Sequence, residues 1–518
     1  MLGTAQFLMV LDTSVMNVSI SRLVEDFNTE VTAIQAVITL YTLVMAAFMI
    51  TGGKLGDLFG RRRMFTTGLV VYAIGSAITA VAPVLWVLTL GWSVIEGLGA
   101  TLVLPALAAL VAGAYQGRDR AVAYGVIGGL AGAGIAVGPL LGGWVTTYLT
   151  WRLVFAGEVV VVAAILLVIS WIPPDPAPGT RERARLDGLG ALLSAAGLFL
   201  LVLGILQSSS WGWLKPRNPP VTVFGFSPTP FVIAAGIALL ALFEAWERRR
   251  EAHGRVPLVR FGLFVIPTLR SGLAMLLSQN LILLGLFFAI PLYLQVVQGM
   301  NAFQTGLRLL PVSATMLVAS MSGPLLGRLA SPRTVVRAGL LVLMASTLWL
   351  LATLQPKIDD MSFAWAMGLL GLGMGLLASQ LGNIVQSSVG EVDRSEVGGL
   401  QYTAQNLGSS LGTAFIGSVL IGALTAAFGS LVAADPRISE AVQQQTAIRI
   451  ESGIGFVRAD DVRTALARTS VPPQEADALV EEYTAAQLVG LKTGVLAACA
   501  ITLAGFAFTR RLPATKAA

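Results

Sequence analysis

Three acidic residues stand inside long apolar stretches of the sequence. Asp12, Glu96 and Glu158 are each flanked by mostly hydrophobic residues. An ionised carboxylate at the centre of a lipid bilayer costs roughly 2.5 to 3.5 kcal/mol, so such a group normally faces a wet cavity or a partner. We predict that Asp12 and Glu96 bind a proton or another cation, with Glu158 as a third candidate. The alternative for each is a structural hydrogen bond between helices.

The residues that most enzymes use are scarce. Cys499 is the only cysteine and His253 is the only histidine, so an intrachain disulfide and a Cys/His zinc site lack their members. A Walker-type Gly-x-x-x-x-Gly-Lys-Ser/Thr motif, which would bind ATP, is also missing from the sequence. We therefore expect no enzymatic activity, no metal site and no cofactor.

The composition determines which elements can position these carboxylates. Of 518 residues, 55% are hydrophobic and 12% are charged, against roughly 45 to 50% and about 25% in soluble domains. So few polar side chains cannot cover a water-soluble globule. The sequence predicts an all-α polytopic membrane protein, and runs of about 20 apolar residues predict fourteen transmembrane helices. The first of these spans covers about residues 4–24, and the fifth covers about residues 121–147.

The basic residues indicate the topology. Most of the 34 Lys and Arg residues fall in alternate short loops and in the C-terminal tail, which places both termini in the cytoplasm. The net charge of +6 then reflects membrane orientation, and we expect no nucleic-acid partner. Since no basic segment precedes the first apolar run, we expect this run to remain as a helix and not as a cleaved signal peptide.

One short loop carries a motif. Residues 53–63 read Gly-Lys-Leu-Gly-Asp-Leu-Phe-Gly-Arg-Arg-Arg, in which small residues permit close helix packing and arginines anchor the cytoplasmic side. This spacing resembles the signature loop of the major facilitator superfamily. The resemblance implies a role in conformational switching, in which Asp57 holds the outward-facing state across the cytoplasmic interface. The motif residues are Gly53, Asp57, Gly60, Arg61 and Arg62.

The fifth predicted helix carries a second motif. Residues 134–143 read Gly-Ile-Ala-Val-Gly-Pro-Leu-Leu-Gly-Gly, and small residues four apart form a face that admits a neighbouring backbone. This pattern is similar to the motif of proton-driven antiporters in the superfamily, which export their substrates; generic close packing is the alternative. The motif residues are Gly134, Gly138, Pro139, Gly142 and Gly143.

Other segments resemble the fourteen-helix drug:proton antiporters of this superfamily. They are residues 11–18, which read Leu-Asp-Thr-Ser-Val-Met-Asn-Val, and the segment around Tyr293 to Gln295. The resemblance implies an N-terminal six-helix bundle in residues 1–172, two inserted helices in residues 188–247 and a C-terminal six-helix bundle in residues 269–518. The polar loop 429–486 would be external, as a folded cap or solvated hairpin, or as part of the outer gate.

The fourth predicted helix departs from the family pattern. The family has an Arg, two residues, then Gln-Gly, whereas this chain has Ser93 at the Arg position and Glu96 at the Gln position. We predict that Asp12 and Glu96 face one cavity as a carboxylate pair with no permanent cation between them, so that they share a proton. The alternative is that Glu96 turns toward a neighbouring helix and Asp12 titrates alone.

Polar side chains on the helices that would line the central cavity are candidates for binding substrate. The alternative for each is a helix-to-helix hydrogen bond. The candidates are Asn17, Gln279, Asn280, Tyr293, Gln295, Asn383 and Gln405.

These observations predict a proton-coupled secondary exporter that works by alternating access. We expect a monomer in the plasma membrane whose partners are a small-molecule substrate, protons and the lipid bilayer. The substrates would be lipophilic drugs or toxic compounds, cations among them. One alternative is export of an endogenous lipid, metabolite or natural product. An alternative of another class is a receptor or lipid scramblase without transport activity.

Overall fold

The computed structural model describes most of the chain. The described residues are 1–114, 130, 133–134, 137–171, 187–217, 219–390, 394–444, 446, 455–469 and 471–514. The predicted fifth span, 121–147, is therefore described only in part. The side chain of Asp57 also lies outside the described part.

Helices make up almost all of the regular structure in the described residues. An isolated bridge between Val223 and Phe226 is the other regular feature there. We number the helices in chain order. They are α1 (Leu2–Val18), α2 (Ile20–Phe27), α3 (Val31–Phe59), α4 (Arg61–Ala80), α5 (Leu85–Leu88, continued by a π-helical segment Thr89–Glu96), α6 (Gly97–Ala114), α7 (137–148), α8 (Arg152–Leu167), α9 (Gly188–Trp211), α10 (Thr229–Ala252), α11 (Pro267–Leu292, continued by a π-helical segment Tyr293–Val297), α12 (Ala302–Met321), α13 (Gly323–Leu329), α14 (Pro332–Thr353), α15 (Asp360–Ser387), α16 (Arg394–Ala434), α17 (440–444), α18 (Ala459–Leu466) and α19 (Pro473–Phe508).

Many of these helices can cross a bilayer. Within the described ranges, ten are long and apolar enough, or eleven if α1 and α2, bent by 66°, form one span. The chain is therefore a multi-pass membrane protein. The predicted count of fourteen is not confirmed: α8 has 16 residues, α12 carries Arg308 among polar side chains, and only twelve consecutive residues of α7 are described.

The first predicted helix, residues 4–24, is broken at Ser19. This residue has φ −94° and ψ 2°. Its hydroxyl donates to the carbonyl oxygen of Val15 at 2.9 Å and contacts the Thr146 hydroxyl at 2.8 Å. The break separates apolar α1 from α2, whose exposed face carries Arg22 and Glu25.

The predicted polar loop 429–486 is shorter in the structure. α16 continues to Ala434, and α19 begins at Pro473. The first part of α19 therefore lies inside the predicted loop, because neither proline nor glycine interrupts the sequence from Glu475 to Gln487. Arg437 hydrogen-bonds Asp435 in the remaining segment, which lowers the pKa of that carboxyl.

The N-terminal and C-terminal bundles meet along α3 and α16, which run antiparallel. Gln35 Nε2 donates to the carbonyl oxygen of Thr413 at 2.7 Å, and the hydroxyls of Thr39 and Thr413 are 2.9 Å apart. Near the other end of the same pair, Lys54 Nζ lies 4.0 Å from a carboxylate oxygen of Glu396. These contacts connect the two bundles near both ends of α3.

The helix α9 packs into the groove between α3 and α16. Leu43 of α3, Val202 of α9 and Ala414 of α16 share one apolar cluster. The Ser418 hydroxyl donates to the carbonyl oxygen of Ile205 at 2.9 Å. The helix pair predicted as an insertion therefore contacts both bundles.

Asp187 fixes the start of α9. Its side chain accepts from Gly190 N at 3.0 Å and from Trp246 Nε1 at 2.9 Å, and Arg250 Nε lies 3.2 Å away. Burial raises the pKa of the Asp187 carboxyl, but these hydrogen bonds and the charge of Arg250 outweigh burial and leave the pKa below its usual value. The carboxylate thus joins the ends of α9 and α10.

Close packing between α11 and α16 depends on Gly412. A Cβ atom there would clash with the backbone oxygen of Leu281. We predict that Gly412→Val lowers the thermal unfolding temperature of the purified protein, because overpacking costs about 1 to 3 kcal/mol. Gly422→Val on the same helix is the control, since a Cβ at that position meets no atom within 4 Å. Equal stability of the two variants would contradict this account of the packing.

Candidate functional site: a buried carboxylate site and a central cavity

Asp12 lies inside the N-terminal bundle against an indole ring. Trp92 Nε1 donates to both carboxylate oxygens of Asp12, at 3.0 and 2.9 Å. The ring of Tyr41 stacks on Trp92 with centroids 4.5 Å apart and an interplanar angle of 4°. All three side chains are at most 1% exposed. The indole N–H therefore takes the place of a cationic partner for Asp12.

Glu96 and Glu158 are joined through one hydroxyl group. Ser76 Oγ lies 2.9 Å from Glu96 Oε2 and 3.0 Å from Glu158 Oε2, and the Tyr72 hydroxyl lies 3.5 Å from the same Glu158 oxygen. Both carboxylates are buried. Asp12, Glu96 and Glu158 each bring one oxygen within 4.8 Å of the others, and we call these three residues the carboxylate site.

Close approach of α4 and the π-helical segment after α5 brings these groups together. A side chain at Gly75 would clash with the backbone of Gly91 and Glu96, so only glycine allows this distance. The π-helical segment carries both Trp92 and Glu96. Such segments insert an extra residue into a helical turn and are frequent at functional sites.

The hydrogen count at Ser76 constrains the protonation of its partners. A serine hydroxyl has a single hydrogen to donate, but its oxygen is within hydrogen-bond distance of both glutamates. That hydrogen is either shared between the two carboxylates or donated to one of them, and in the second case the other glutamate must supply a hydrogen of its own. A proton on Glu96 or Glu158 would also remove one of two buried negative charges. Both oxygens of Asp12 share the single indole hydrogen of Trp92.

The described part of the chain shows no basic partner for this site. None of the ion pairs between described residues includes Asp12, Glu96 or Glu158. Ser93, at the position where the family has Arg, is buried and donates its hydroxyl to the carbonyl oxygen of Val37 at 2.8 Å. Burying several unpaired negative charges is costly, and protonation of one or more of these carboxyl groups would lower that cost.

The carboxylate site also has the donor atoms of a hard-cation site. However, Ca²⁺ takes six to eight oxygen ligands and Mg²⁺ usually keeps several waters. Three carboxylates and one serine, all buried, reach six or more oxygens only if all three carboxylates bind in bidentate fashion, whereas both oxygens of Asp12 already accept from Trp92. Protons match this donor set better than either metal ion.

A separate cavity lies between the two bundles. Its volume is about 200 Å³. It is lined by α1, α3, α6, α11 and α16, and the lining residues are Gln6, Met9, Val10, Thr13, Ser14, Asn17, Thr42, Met45, Leu104, Asn280, Leu283, Leu284, Phe287, Tyr402, Gln405, Asn406 and Ser409.

None of the carboxylate-site residues lines this cavity. Asp12 and Glu96 lie close together, as a pair would, but they lie inside the N-terminal bundle. The prediction that both face the cavity is not what the structure shows. The reason is that Trp92 and Ser76 hold the carboxylates against α4 and the π-helical segment.

Three predicted substrate residues line the cavity: Asn17, Asn280 and Gln405. The other four do not, because each is placed elsewhere. Gln279 Nε2 donates to the carbonyl oxygen of Met374 at 3.1 Å, and Gln295 Nε2 donates to the carbonyl oxygen of Val18 at 2.8 Å. The Tyr293 hydroxyl donates to the carbonyl oxygen of Gln355 at 2.8 Å. Asn383 is exposed on α15.

The signature-loop residues lie where α3 meets α4. Gly60 has φ +99°, a conformation that favours glycine, and it joins the two helices with a tight turn. Arg61 Nη1 donates to the carbonyl oxygen of Ala109 at 3.1 Å. Gly53 faces Pro105 of α6. These contacts bind the loop to the N-terminal bundle. Arg62 belongs to the same loop. The side chain of Asp57 is outside the described part of the structure, so its predicted role stays a prediction.

The residues of the antiporter motif, most of which lie in α7, face two partners. Gly134, Gly138 and Gly142 pack against α1, at Val10, Ser14 and Val15 respectively. On the other side, Gly143 packs against the backbone of Ala302, and Gly306 packs against the backbone of Pro139. The motif therefore brings α7 against both α1 and α12 of the opposite bundle.

Sequence reasoning missed Trp92, Tyr41, Tyr72 and Ser76 as members of the site. Their polar groups stand in apolar segments, where such groups must find hydrogen-bond partners. This pattern could have identified the residues but not the partners that they contact.

Comparisons with known proteins agree with this architecture. A sequence model of the Major Facilitator Superfamily matches residues 2–413. The chain is 30% identical over 434 residues to a probable actinorhodin transporter of Streptomyces coelicolor, with 81% of this chain and 71% of that protein covered. It is 31% identical over 429 residues to a puromycin resistance protein of Streptomyces alboniger, with 82% and 81% covered.

A further relative is a cephamycin export protein of Amycolatopsis lactamdurans, 32% identical over 423 residues, with 80% of this chain and 82% of that protein covered. Among solved structures, a bacterial homologue of the human lysosomal transporter Spinster, in an inward-facing and unoccupied conformation, matches with a TM-score of 0.60 and 14% identity, covering 98% of this chain and 96% of that one. A human organic anion transporter matches with a TM-score of 0.58 and 15% identity, covering 98% of both chains. At this identity the solved structures show the fold alone.

A proton on Glu96 or Glu158 should be visible by infrared spectroscopy at neutral pH. We predict that the spectrum of the wild type minus that of a Glu96→Gln/Glu158→Gln variant contains the C=O band of a protonated carboxylic acid. The control is Glu244→Gln, because Glu244 pairs with Arg248 at 2.7 Å, outside the carboxylate site. A difference spectrum with ionised bands alone would show that neither Glu96 nor Glu158 holds a proton.

Proposed function

Because the chain belongs to the major facilitator superfamily and is a membrane transporter, we propose that it exports small molecules in exchange for protons bound at the carboxylate site. The observation that carries this proposal is the buried cluster of three carboxylates, in which Ser76 bridges Glu96 and Glu158 and no cation among the described residues pairs with them. Asp12 is fully buried and supplies a further protonatable group, with an oxygen within 4.8 Å of an oxygen of each glutamate.

Outward transport is supported by the relatives and by α7. Relatives are named for antibiotic export or resistance, and the antiporter motif of α7 contacts both bundles. We propose lipophilic, antibiotic-like compounds as the substrates. The superfamily assignment supports transport over a receptor or scramblase role, and export of a compound that the cell itself makes would use the same cavity.

The proposed orientation follows from the basic residues. The turn with Arg61 and Arg62 lies in the cytoplasm, as do both termini, and the segment between α16 and α19 lies outside. We propose that the protein works as a monomer in the plasma membrane. We also propose fourteen transmembrane helices, with α7, α8 and α12 completing the set.

Helix α1 is the element through which the two sites communicate. One of its faces carries Asp12, which is bonded to Trp92, and another carries Thr13 and Asn17, which line the cavity. Loss of a proton from the carboxylate site leaves closely spaced negative charges that repel one another. We propose that this repulsion, relieved by movement of α1 against the π-helical segment, changes the access of the cavity.

The proton gradient supplies enough free energy for such a cycle. One proton that moves down about 100 mV provides about 2.3 kcal/mol. This corresponds to a concentration ratio of about fiftyfold for an uncharged substrate. More than one proton per cycle would raise the ratio further.

Transport in proteoliposomes tests the proposal. With puromycin and actinorhodin as first substrates, we expect an imposed pH gradient to drive accumulation and substrate addition to release protons. Asp12→Asn, Glu96→Gln and Glu158→Gln should each reduce gradient-driven accumulation to the level seen without a gradient, because each removes a protonatable oxygen. Protein yield and substrate binding report whether the variants are folded.

The matched control is Glu244→Gln, which changes an acidic residue of α10 outside the carboxylate site and should transport like the wild type. If Glu96→Gln and Glu158→Gln also release protons and transport like the wild type, Asp12 acts alone. If all three variants keep gradient-driven transport, the carboxylate site is not the coupling site.

A further inference from the structure

The cavity between the bundles carries no charge among its described lining residues. Asp12, the nearest acidic residue in the sequence to Thr13 and Asn17, is buried against Trp92 on another face of α1. A cationic substrate in this cavity would lose its hydration without gaining a carboxylate partner, which is costly. The lining therefore disfavours the cations that the sequence suggested as substrates.

The cavity instead offers acceptor oxygens. Asn17 Nδ2 donates to the carbonyl oxygen of Thr13 at 2.8 Å. Because a carbonyl oxygen can only accept, this bond fixes the orientation of the amide. Asn17 Oδ1 is left without a partner in the described structure, although the side chain is only 1% exposed. Gln6 is 7% exposed, and its Oε1 atom also has no hydrogen-bond partner in the described structure.

Two amides on the opposite side of the cavity have the same orientation as that of Asn17. Asn280 Nδ2 donates to the carbonyl oxygen of Leu276 at 2.9 Å, and Asn406 Nδ2 donates to that of Tyr402 at 2.9 Å. Each amide uses an N–H group within its own helix, so its carbonyl oxygen is left to accept from elsewhere. Acceptors from α1, α11 and α16 thus converge on one space. A buried acceptor without a donor is unfavourable, and a ligand with several O–H or N–H groups would satisfy these oxygens.

The rest of the lining suits a flat apolar frame. Met9 and Met45 provide flexible, polarisable contacts, and Phe287 and Tyr402 provide aromatic faces. The volume of about 200 Å³ is below the roughly 300 to 1,000 Å³ of drug-sized sites. A drug-sized compound therefore requires the bundles to separate, as alternating access provides.

We infer that the substrate is an uncharged aromatic compound rich in hydrogen-bond donors, and that it binds to these amide oxygens without touching the carboxylate site. The inference rests on the proposed export function, whose substrate class it names. Substrate and protons then occupy separate sites, and neither displaces the other by direct contact.

Binding to the full-length protein in detergent tests this inference. The probes are an uncharged polyhydroxyflavone, its fully O-methylated ether, and tetraphenylphosphonium, a lipophilic cation. Titration calorimetry at a pH where the phenols are neutral gives the affinities. We expect the polyhydroxyflavone to bind about tenfold or more tightly than its ether, because methylation removes the donors. Tetraphenylphosphonium should not compete with it.

Substitutions locate the binding site. Asn17→Leu keeps the approximate size of the side chain but removes the acceptor, and should weaken polyhydroxyflavone binding about twofold to tenfold with little effect on the ether. Asn280→Leu should act in the same direction, so the test does not depend on one variant folding. Asn383→Leu is the control, because Asn383 is exposed and lies outside the cavity lining.

Several results would overturn the inference. They are equal affinity for the polyhydroxyflavone and its ether, competition by tetraphenylphosphonium, absence of binding by the polyhydroxyflavone, or equal effects of the Asn17 and Asn383 substitutions. Binding in detergent needs no proton gradient. A failure here is therefore distinct from a failure of proton coupling, which the transport assays would reveal on their own.

Discussion

Three carboxylates are buried within 4.8 Å of one another in the N-terminal bundle, and the described structure supplies an indole N–H, a serine and a tyrosine as their neighbours instead of a cation. Unpaired buried charge is costly, and the proposed protons would reduce the negative charge of this arrangement. The local fold serves this constraint. Gly75 lets α4 approach the π-helical segment, and that segment directs Trp92 and Glu96 toward the other two carboxylates.

The separation of the carboxylate site from the cavity determines how transport can be coupled. If Asp12 faced the cavity, a cationic substrate could displace its proton directly. Asp12 is instead enclosed by Trp92, while Asn17 on the same helix reaches the cavity. The proposed coupling then passes through the position of α1, which packs against the antiporter motif. The glycines of that motif allow the close contact, and α7 extends it to α12 of the other bundle.

Much of the architecture could be predicted from the sequence, because composition and motifs are local signals. The low charge predicted a membrane protein, and the Gly53–Arg63 motif predicted the superfamily, which the comparisons confirm. Asp12, Glu96 and Glu158 were recognisable as charges in apolar helices. Their mutual contacts were not fully predictable, because a π-helical segment changes which side chains share a face.

The cavity residues show the same limit. Asn17 and Asn280 line the cavity, whereas Asn383 does not, although all three are asparagines in apolar helices. A membrane helix that is apolar on every side gives no periodic signal of its rotation. Which amide faces the cavity is therefore decided by packing between helices, such as that of Gly412 against Leu281, and packing of this kind is visible only in three dimensions.

The charge moved per transport cycle tests the central claim most directly. An uncharged substrate exchanged for protons carries net positive charge inward, so an inside-negative potential alone should drive export. The measurement is substrate flux in proteoliposomes at equal pH on both sides, with a potassium diffusion potential set by valinomycin. The account predicts flux that increases with the potential and is lost in Glu96→Gln. A flux that follows a pH gradient but ignores the potential would contradict it, because it would mean that the substrate leaves as a cation.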